Sequence, residues 1–234
     1  MKYRYETHCH TAPVSKCAKA TVRETVEFYK SEGYDGLFIT NHFLDGNINI
    51  PRDSGMSFAE KIEFYFSDYE EAHRVGNEIG LKVFPGVELS CQGSDFLVYG
   101  LDKEWYLAHP EIMGFKQSDK LTFLMNENAL VVHAHPFREA SYIDHIRLFP
   151  RGIHAVEIIN GCQPEFVNHM AEIYAKEYGF KVTAGSDNHV ADRIHVLAGI
   201  ETDEPIECVQ DYIDHVLTGN LTIFHRKREV EPKS

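Results

Sequence analysis

Short β-branched or apolar runs alternate with longer amphipathic stretches along almost the whole chain. The runs at 2–8, 35–40, 82–88, 96–100, 129–134, 154–159, 180–185 and 196–200 read as strands. Apolar residues recur at three- and four-residue intervals over Thr21 to Ser31, Phe58 to Ile79, Pro164 to Tyr178 and Pro205 to Leu217, which predicts amphipathic helices there. Such alternation favours parallel strand pairing and an α/β fold, because a helix is the usual crossover between parallel strands. About seven units of this kind suit a closed barrel or an open doubly wound sheet, and periodicity does not choose between them. Residues 45–55 and 101–120 read as long irregular excursions.

A chain of 234 residues is short enough to be one α/β domain, expected over 1–225, with 226–234 as a tail. Its 43% hydrophobic content supports a sizeable core. No apolar run approaches the length of a membrane span, so no membrane association is expected. The start is charged from Lys2 onward and does not resemble a secretory signal, which points to the cytoplasm. Cys9, Cys17, Cys91, Cys162 and Cys208 are widely spaced, with no CxxC pair, and suit reduced thiols. The formal net charge of −13 argues against long nucleic acid as a partner, since backbone binding needs clustered Lys and Arg. A small anionic substrate stays compatible, because bound cations reverse the sign of a local pocket.

The chemistry lies at strand ends. His8-Cys9-His10, Thr40-Asn41-His42, Gly86-Val87-Glu88, His133-Ala134-His135-Pro136 and Ser186-Asp187-Asn188-His189 each follow or close a strand-like run. Residues two apart in an extended strand share a face, so His8 with His10, His133 with His135, and Asp187 with His189 are expected to point together. One such pair is unremarkable, since histidines in strands are commonly hydrogen-bonded core or rim residues. Their recurrence in an architecture whose carboxyl strand ends converge on one mouth reads as one site. Mixed imidazole and carboxylate donors suit zinc, manganese or iron, and their number exceeds the needs of one tetrahedral ion. A metal-activated water, and hence hydrolysis, is the chemistry such a cluster supports.

These motifs, in this order, resemble the PHP (polymerase and histidinol phosphatase) domain, whose members use a distorted seven-stranded (β/α) barrel with a two- or three-metal site at the C-terminal strand ends. The resemblance spans nearly the whole chain. It implies a first ion held by His8, His10, Glu88 and Asp187, a second by Glu88 and His135, and a third by His42 and His189. Where relatives carry a His before a strand like Phe96 to Gly100, this chain offers Asp95. Where relatives place a His or Asp for the third ion, Cys17 is the evident donor. Asn41 replaces an Asp and is left with a hydrogen-bonding role beside the ligands. His133 is set aside as a core or supporting residue, and His73, His145, His169 and His215 fall on helical or surface patterns.

For a phosphate near the metals, Arg138 and Arg193 are candidates because guanidinium matches phosphate oxygens bidentately; Lys16 and Lys19 are weaker ones. Glu88, Asp187, His189 and Arg138 are the catalytic candidates. The expected activity is hydrolysis of a small phosphate ester by a histidinol-phosphatase-like phosphomonoesterase. A phosphodiesterase on nucleotides or short oligonucleotides is the alternative within that class. A non-catalytic metal-binding barrel and an amidohydrolase-like enzyme are the alternatives outside it. Oligomeric state is left open.

Overall fold

The computed structural model describes residues 2–230. In chain order the first half comprises β1 (Tyr3–Glu6), α1 (Val22–Ser31), β2 (Gly36–Ile39), α2 (Phe58–Ile79), β3 (Lys82–Pro85), β4 (Val87–Cys91), β5 (Ser94–Tyr99) and α3 (Lys103–Ala108). The second half comprises α4 (Gln117–Asn126), β6 (Leu130–Ala134), β7 (Ala155–Asn160), α5 (Glu165–Tyr178), β8 (Lys181–Gly185), β9 (Val196–Thr202), α6 (Val209–Thr218) and β10 (Thr222–Lys227). Helix starts are chemically specified. Thr21 with Glu24, and Ser57 with Glu60, form capping boxes that satisfy the first free amides of α1 and α2. Helix α2 stops at Gly80, which takes the left-handed conformation at φ 72°.

The strands are hydrogen-bonded as two five-stranded sheets, in the orders β10-β9-β1-β2-β3 and β4-β5-β6-β7-β8, and not as one continuous ring of parallel strands. β1, β2 and β3 pair in parallel, as do β6, β7 and β8, whereas β9 is antiparallel to both β1 and β10, and β5 to both β4 and β6. The run expected as one strand over 82–88 is two, because the chain changes sheets at Gly86. A Cβ there would lie 2.8 Å from Thr40 and 3.1 Å from the Tyr99 ring, so only glycine passes. The hairpin between β4 and β5 turns at Gln92 and Gly93, both at positive φ, and needs no helical crossover. The excursion at 101–120 contains α3 and the start of α4, while 45–55 is irregular. Arg226 and Lys227, expected in the tail, belong to β10, and residues 231–234 lie outside the described residues.

Both sheets line a common core. Tyr5, Phe38 and Ile200 from the first meet Leu97, Tyr99 and Val132 from the second, with Tyr212 of α6 among them. Each fully buried side chain of this size contributes on the order of 2 to 3 kcal/mol. Helix α1 packs outside the first sheet, α4 and α5 pack outside the second, and α2 reaches both outer clusters. At one end the sheets are stitched together by isolated parallel bridges, Cys9 to Asn188 and His42 to Glu88. The candidate residues lie at these two seams. No helix among the described residues is long and apolar enough to cross a membrane.

Candidate metal centre

Beyond β1 the chain stays extended through Thr7 to His10, fed into the seam by bonds from both sides. Thr40 N–H donates to Cys9 O at 2.9 Å, His10 N–H to Asn188 O at 2.9 Å, and Asp187 N–H to His8 O at 2.8 Å. His8 and His10 therefore share a face, as alternation predicts, and Gly185 lets His8 approach; a Cβ there would sit 2.3 Å from that of His8. The other two expected pairs do not share a strand face. β6 ends at Ala134 and β8 at Gly185, and the next ligand candidates take left-handed backbone, His135 at φ 27° and Asp187 at φ 55°. Such conformations cost about 1–3 kcal/mol each and persist only where the surroundings hold them. Here His135 N–H is held by Glu157 Oε2 at 3.0 Å. His133 points elsewhere, stacked on Phe96 with a centroid distance of 5.1 Å and edge-on to Phe149 at 5.2 Å.

The protons of the two leading histidines can be followed. His8 Nδ1 lies 2.8 Å from Glu157 Oε1, a carboxylate that only accepts, so Nδ1 carries hydrogen. His10 Nδ1 lies 3.1 Å from Ser15 Oγ, whose own hydrogen goes to Asn41 Oδ1 at 2.8 Å, so His10 Nδ1 also donates. Asn41 is locked in turn, with Nδ2 donating to Asp68 Oδ2 at 3.1 Å and to Thr11 Oγ1 at 3.0 Å. In a neutral imidazole the other nitrogen is then a lone pair. The Nε2 atoms of His8 and His10 nevertheless face each other at 3.1 Å, and Asp187 Oδ1 lies 3.4 and 3.3 Å from them. Only a cation, proton or metal, reconciles that convergence.

One proton does not satisfy the wider cluster. Glu88 lies 3.4 Å from His8 Nε2, 3.4 Å from His135 Nε2, and 2.5 Å from His42 Nδ1 in an orientation that gives neither atom a hydrogen bond. Buried His42 Nδ1, Glu88 Oε2, Asp95 Oδ2 and His135 Nε2 all lack a hydrogen-bond partner. Donor atoms lie within 4.8 Å of one another in the groups His8-His10-Glu88, Glu88-Asp95-His135, His10-His42-His189 and His8-His135-Glu157. His189 Nδ1 lies 2.8 Å from Asp187 O, a carbonyl that only accepts, so that nitrogen carries hydrogen. Stranded buried donors cost roughly 1–3 kcal/mol each, so this set suits divalent metal ions.

Electrostatics follow the same geometry. Burial disfavours the charged form of His8, but Asp187 and Glu157 outweigh it and hold its pKa well above the ordinary value. Burial, with His189 and His42 beside it, holds His10 well below. Burial would raise Glu88, yet His42, His135 and His8 bring it well below the carboxylate range. Asp95 is pushed up by burial and by Glu88. At Cys17 burial raises the thiol, while hydrogen bonds to His189 and His42 overcome it and bring the pKa down to about 6.

These groups open onto a cavity of about 630 Å³, whose lining includes Cys17, His42, Glu88, Asp95, Asp187 and His189. Arg138 lines it too, with Nη2 3.3 Å from Asp95 Oδ2. Arg193 does not reach it. It lies in a short 3-10 turn after His189 and, with Lys19, lines a separate hollow against α1, so its sequence proximity to His189 brings no convergence. Lys16 is exposed on the loop before Cys17 and outside the cavity lining.

Sequence reasoning missed Glu157 and Asn160. Glu157 is fully buried on β7, and Asn160 Nδ2 donates to Glu157 Oε2 at 2.9 Å and to Asp187 Oδ2 at 3.2 Å. A lone carboxylate inside the apolar run Ala155–Asn160 was the available signal.

A family model described as PHP-associated matches residues 166–221, the stretch that contains Asp187 and His189. The fold agrees with a two-domain protein from Bacteroides vulgatus containing a PHP-like part identified by prediction as a metal-dependent phosphoesterase, at TM-score 0.70 and 12% identity. The fold is one shared with PHP-like proteins. The alignment covers 96% of this chain and 65% of the Bacteroides protein, so the chain spans less than two thirds of that relative. A protein from Bifidobacterium adolescentis provisionally assigned as a metal-dependent phosphoesterase matches at TM-score 0.54 and 14% identity, covering 92% of this chain and 95% of that one. An amidohydrolase from Chromobacterium violaceum, with bound sulfate and no metal, matches at TM-score 0.55 and 14% identity, covering 93% and 97%. At these identities the solved structures speak for the fold alone. No curated protein matches the chain.

Proposed function

We propose that this chain is a PHP-type, metal-dependent phosphoesterase that hydrolyses a small phosphate monoester. The observation that carries this reading is the set of imidazole lone pairs and carboxylates that converge without hydrogen-bond partners beside one guanidinium. His8, His10, Glu88 and Asp187 would hold one ion, Glu88, Asp95 and His135 a second, and His42, His189 and Cys17 a third, with zinc, manganese or iron as the suitable metals. When bound, such ions acidify water and polarise phosphoryl oxygens. The two sheets, stitched at the metal end, are read as the distorted barrel of the family, and the five free cysteines fit a reducing cytoplasm.

The chain's own residues do the positioning. Arg138 Nε is buried without a partner, and its guanidinium is steadied by Asp95, so it is set to donate to phosphate oxygens at the cavity wall. Glu157 and the Asp68-Asn41-Ser15 chain hold the protons of His8 and His10 on Nδ1. Asn160 orients Asp187 through its carboxylate. Among the described residues Arg138 is the one Lys or Arg lining the cavity, which favours a single terminal phosphate over a long nucleic acid. The amidohydrolase neighbour supports a second reading, hydrolysis of a C–N bond at the same site.

The test is phosphate release from a monoester and a diester by protein loaded with Mn²⁺ or Zn²⁺, beside His10→Ala. Monoester turnover that falls at least about a hundredfold in the variant is expected from the loss of a metal ligand. Diester preference would move the reading to a phosphodiesterase. Turnover of neither ester, with acid or ammonia release from amides, would replace it with the amidohydrolase reading.

A further inference from the structure

The segment after His135 contributes Arg138 and Tyr142 to the cavity lining. Arg138 Nη2 donates to Tyr142 Oη at 2.7 Å, and Tyr142 is 68% exposed while lining the cavity. The segment is fastened across the β4–β5 turn: Arg147 donates to Gln92, and Ile143 lies against Gly93. Tyr142 is thus an aromatic face set at the mouth by the residue that would hold the phosphate. The remaining wall is polar or acidic, with Asn47, Ser90 and Gln92 beside Asp45, whose carboxylate is already bonded by Lys120 at 2.7 Å and by Ser90 N–H at 3.2 Å.

We infer that the cavity selects monoesters whose organic part carries a planar ring, stacked on Tyr142, and no second anion. This rests on the phosphoesterase reading. The single lining guanidinium matches one phosphate, a second anion would face Asp45 and the metal-binding carboxylates while the neighbouring cations, Lys120 and Arg147, are already engaged by Asp45 and Gln92, and the volume of about 630 Å³ leaves room for a ring beyond the phosphate. Tyr142 is a specificity residue that touches the leaving group's ring and not the reacting atoms.

The test uses metal-loaded protein with benzyl phosphate, propyl phosphate and 4-carboxybenzyl phosphate, chosen because their leaving alcohols are similarly poor and differ in ring and charge. Expected is a kcat/KM for benzyl phosphate about tenfold above that for propyl phosphate, the size of one aromatic contact. The carboxybenzyl ester should fall back by a similar factor. Tyr142→Ala should collapse the benzyl-to-propyl ratio toward one, chiefly through KM, and Tyr142→Phe should keep it. Turnover of benzyl and propyl esters at equal rates, or a ratio that Tyr142→Ala leaves intact, overturns the ring preference alone. Turnover of none of the esters overturns the phosphoesterase reading and this inference with it.

Discussion

His8 Nε2 and His10 Nε2 face each other at 3.1 Å while the Nδ1 atom of each ring is already engaged, by Glu157 on one side and Ser15 on the other. Two ring nitrogens so arranged are held apart from within the protein and drawn together only by a cation. The engagement of Nδ1 is what turns two ordinary histidines into a directed pair of donors.

Glu157→Gln should lower metal affinity about 10- to 100-fold. Glu157 accepts three donors, His8 Nδ1–H, His135 N–H and Asn160 Nδ2–H, and an amide in its place offers one acceptor oxygen and a competing N–H₂. Competition against a chromophoric chelator measures the loss. Unchanged affinity would mean that the carboxylate does not orient the ligands.

His133→Phe should keep bound metal and leave stability at neutral pH within about 1 kcal/mol of the parent, since removing an unpartnered buried polar atom is nearly neutral. The pH dependence is more telling. Burial, with His135 adding to it, lowers the His133 pKa to about 3, so below its ordinary value of 6.5 the unfolded chain takes a proton that the folded chain refuses. His133 therefore contributes a loss of about 1.4 kcal/mol per pH unit as pH falls from 6.5 toward 3. In chelator-treated protein the variant should unfold less steeply with acid. An identical acid slope, or loss of metal, would restore His133 to the site.

Cys17 in chelator-treated protein should alkylate with a midpoint near pH 6, because His189 and His42 hydrogen-bond the thiolate against the opposing effect of burial. A depressed pKa makes this thiolate stabilising above the ordinary thiol range, with the benefit lost as pH falls through 6. Zinc should protect it from iodoacetamide. A midpoint in the ordinary thiol range with no protection by zinc would remove Cys17 from the third group of donors.

Much of the site was legible because strand-end chemistry leaves short local marks. His8, His10, His42, Glu88, Asp95, His135, Asp187 and His189 converge, and periodicity placed α1, α2 and α5 to within a residue. Arg193 went wrong because closeness in sequence says nothing about which way a 3-10 turn carries a side chain. Two-residue spacing misled at His133–His135 and Asp187–His189 because each strand stops before the ligand, at a left-handed residue that only the tertiary bonds of Glu157 and His8 make tenable. Glu157 and Asn160 were hidden for a related reason. Their roles are defined by partners distant in sequence, and an acid within an apolar strand shows only that it must be satisfied somewhere. The two-sheet arrangement was equally out of reach, since β10 pairs antiparallel with β9 and Gly86 divides what reads as a single strand.

The central claim is that the seam between the sheets is a multinuclear metal centre, and its most direct test is metal content. Protein purified without chelator should carry two or three divalent ions per chain by elemental analysis, and Glu88→Ala, which removes a carboxylate shared by two donor groups, should lose more than one of them together. Protein that stays metal-free after incubation with Zn²⁺, Mn²⁺ and Fe²⁺, or a Glu88→Ala variant with its full complement of ions, would contradict the account.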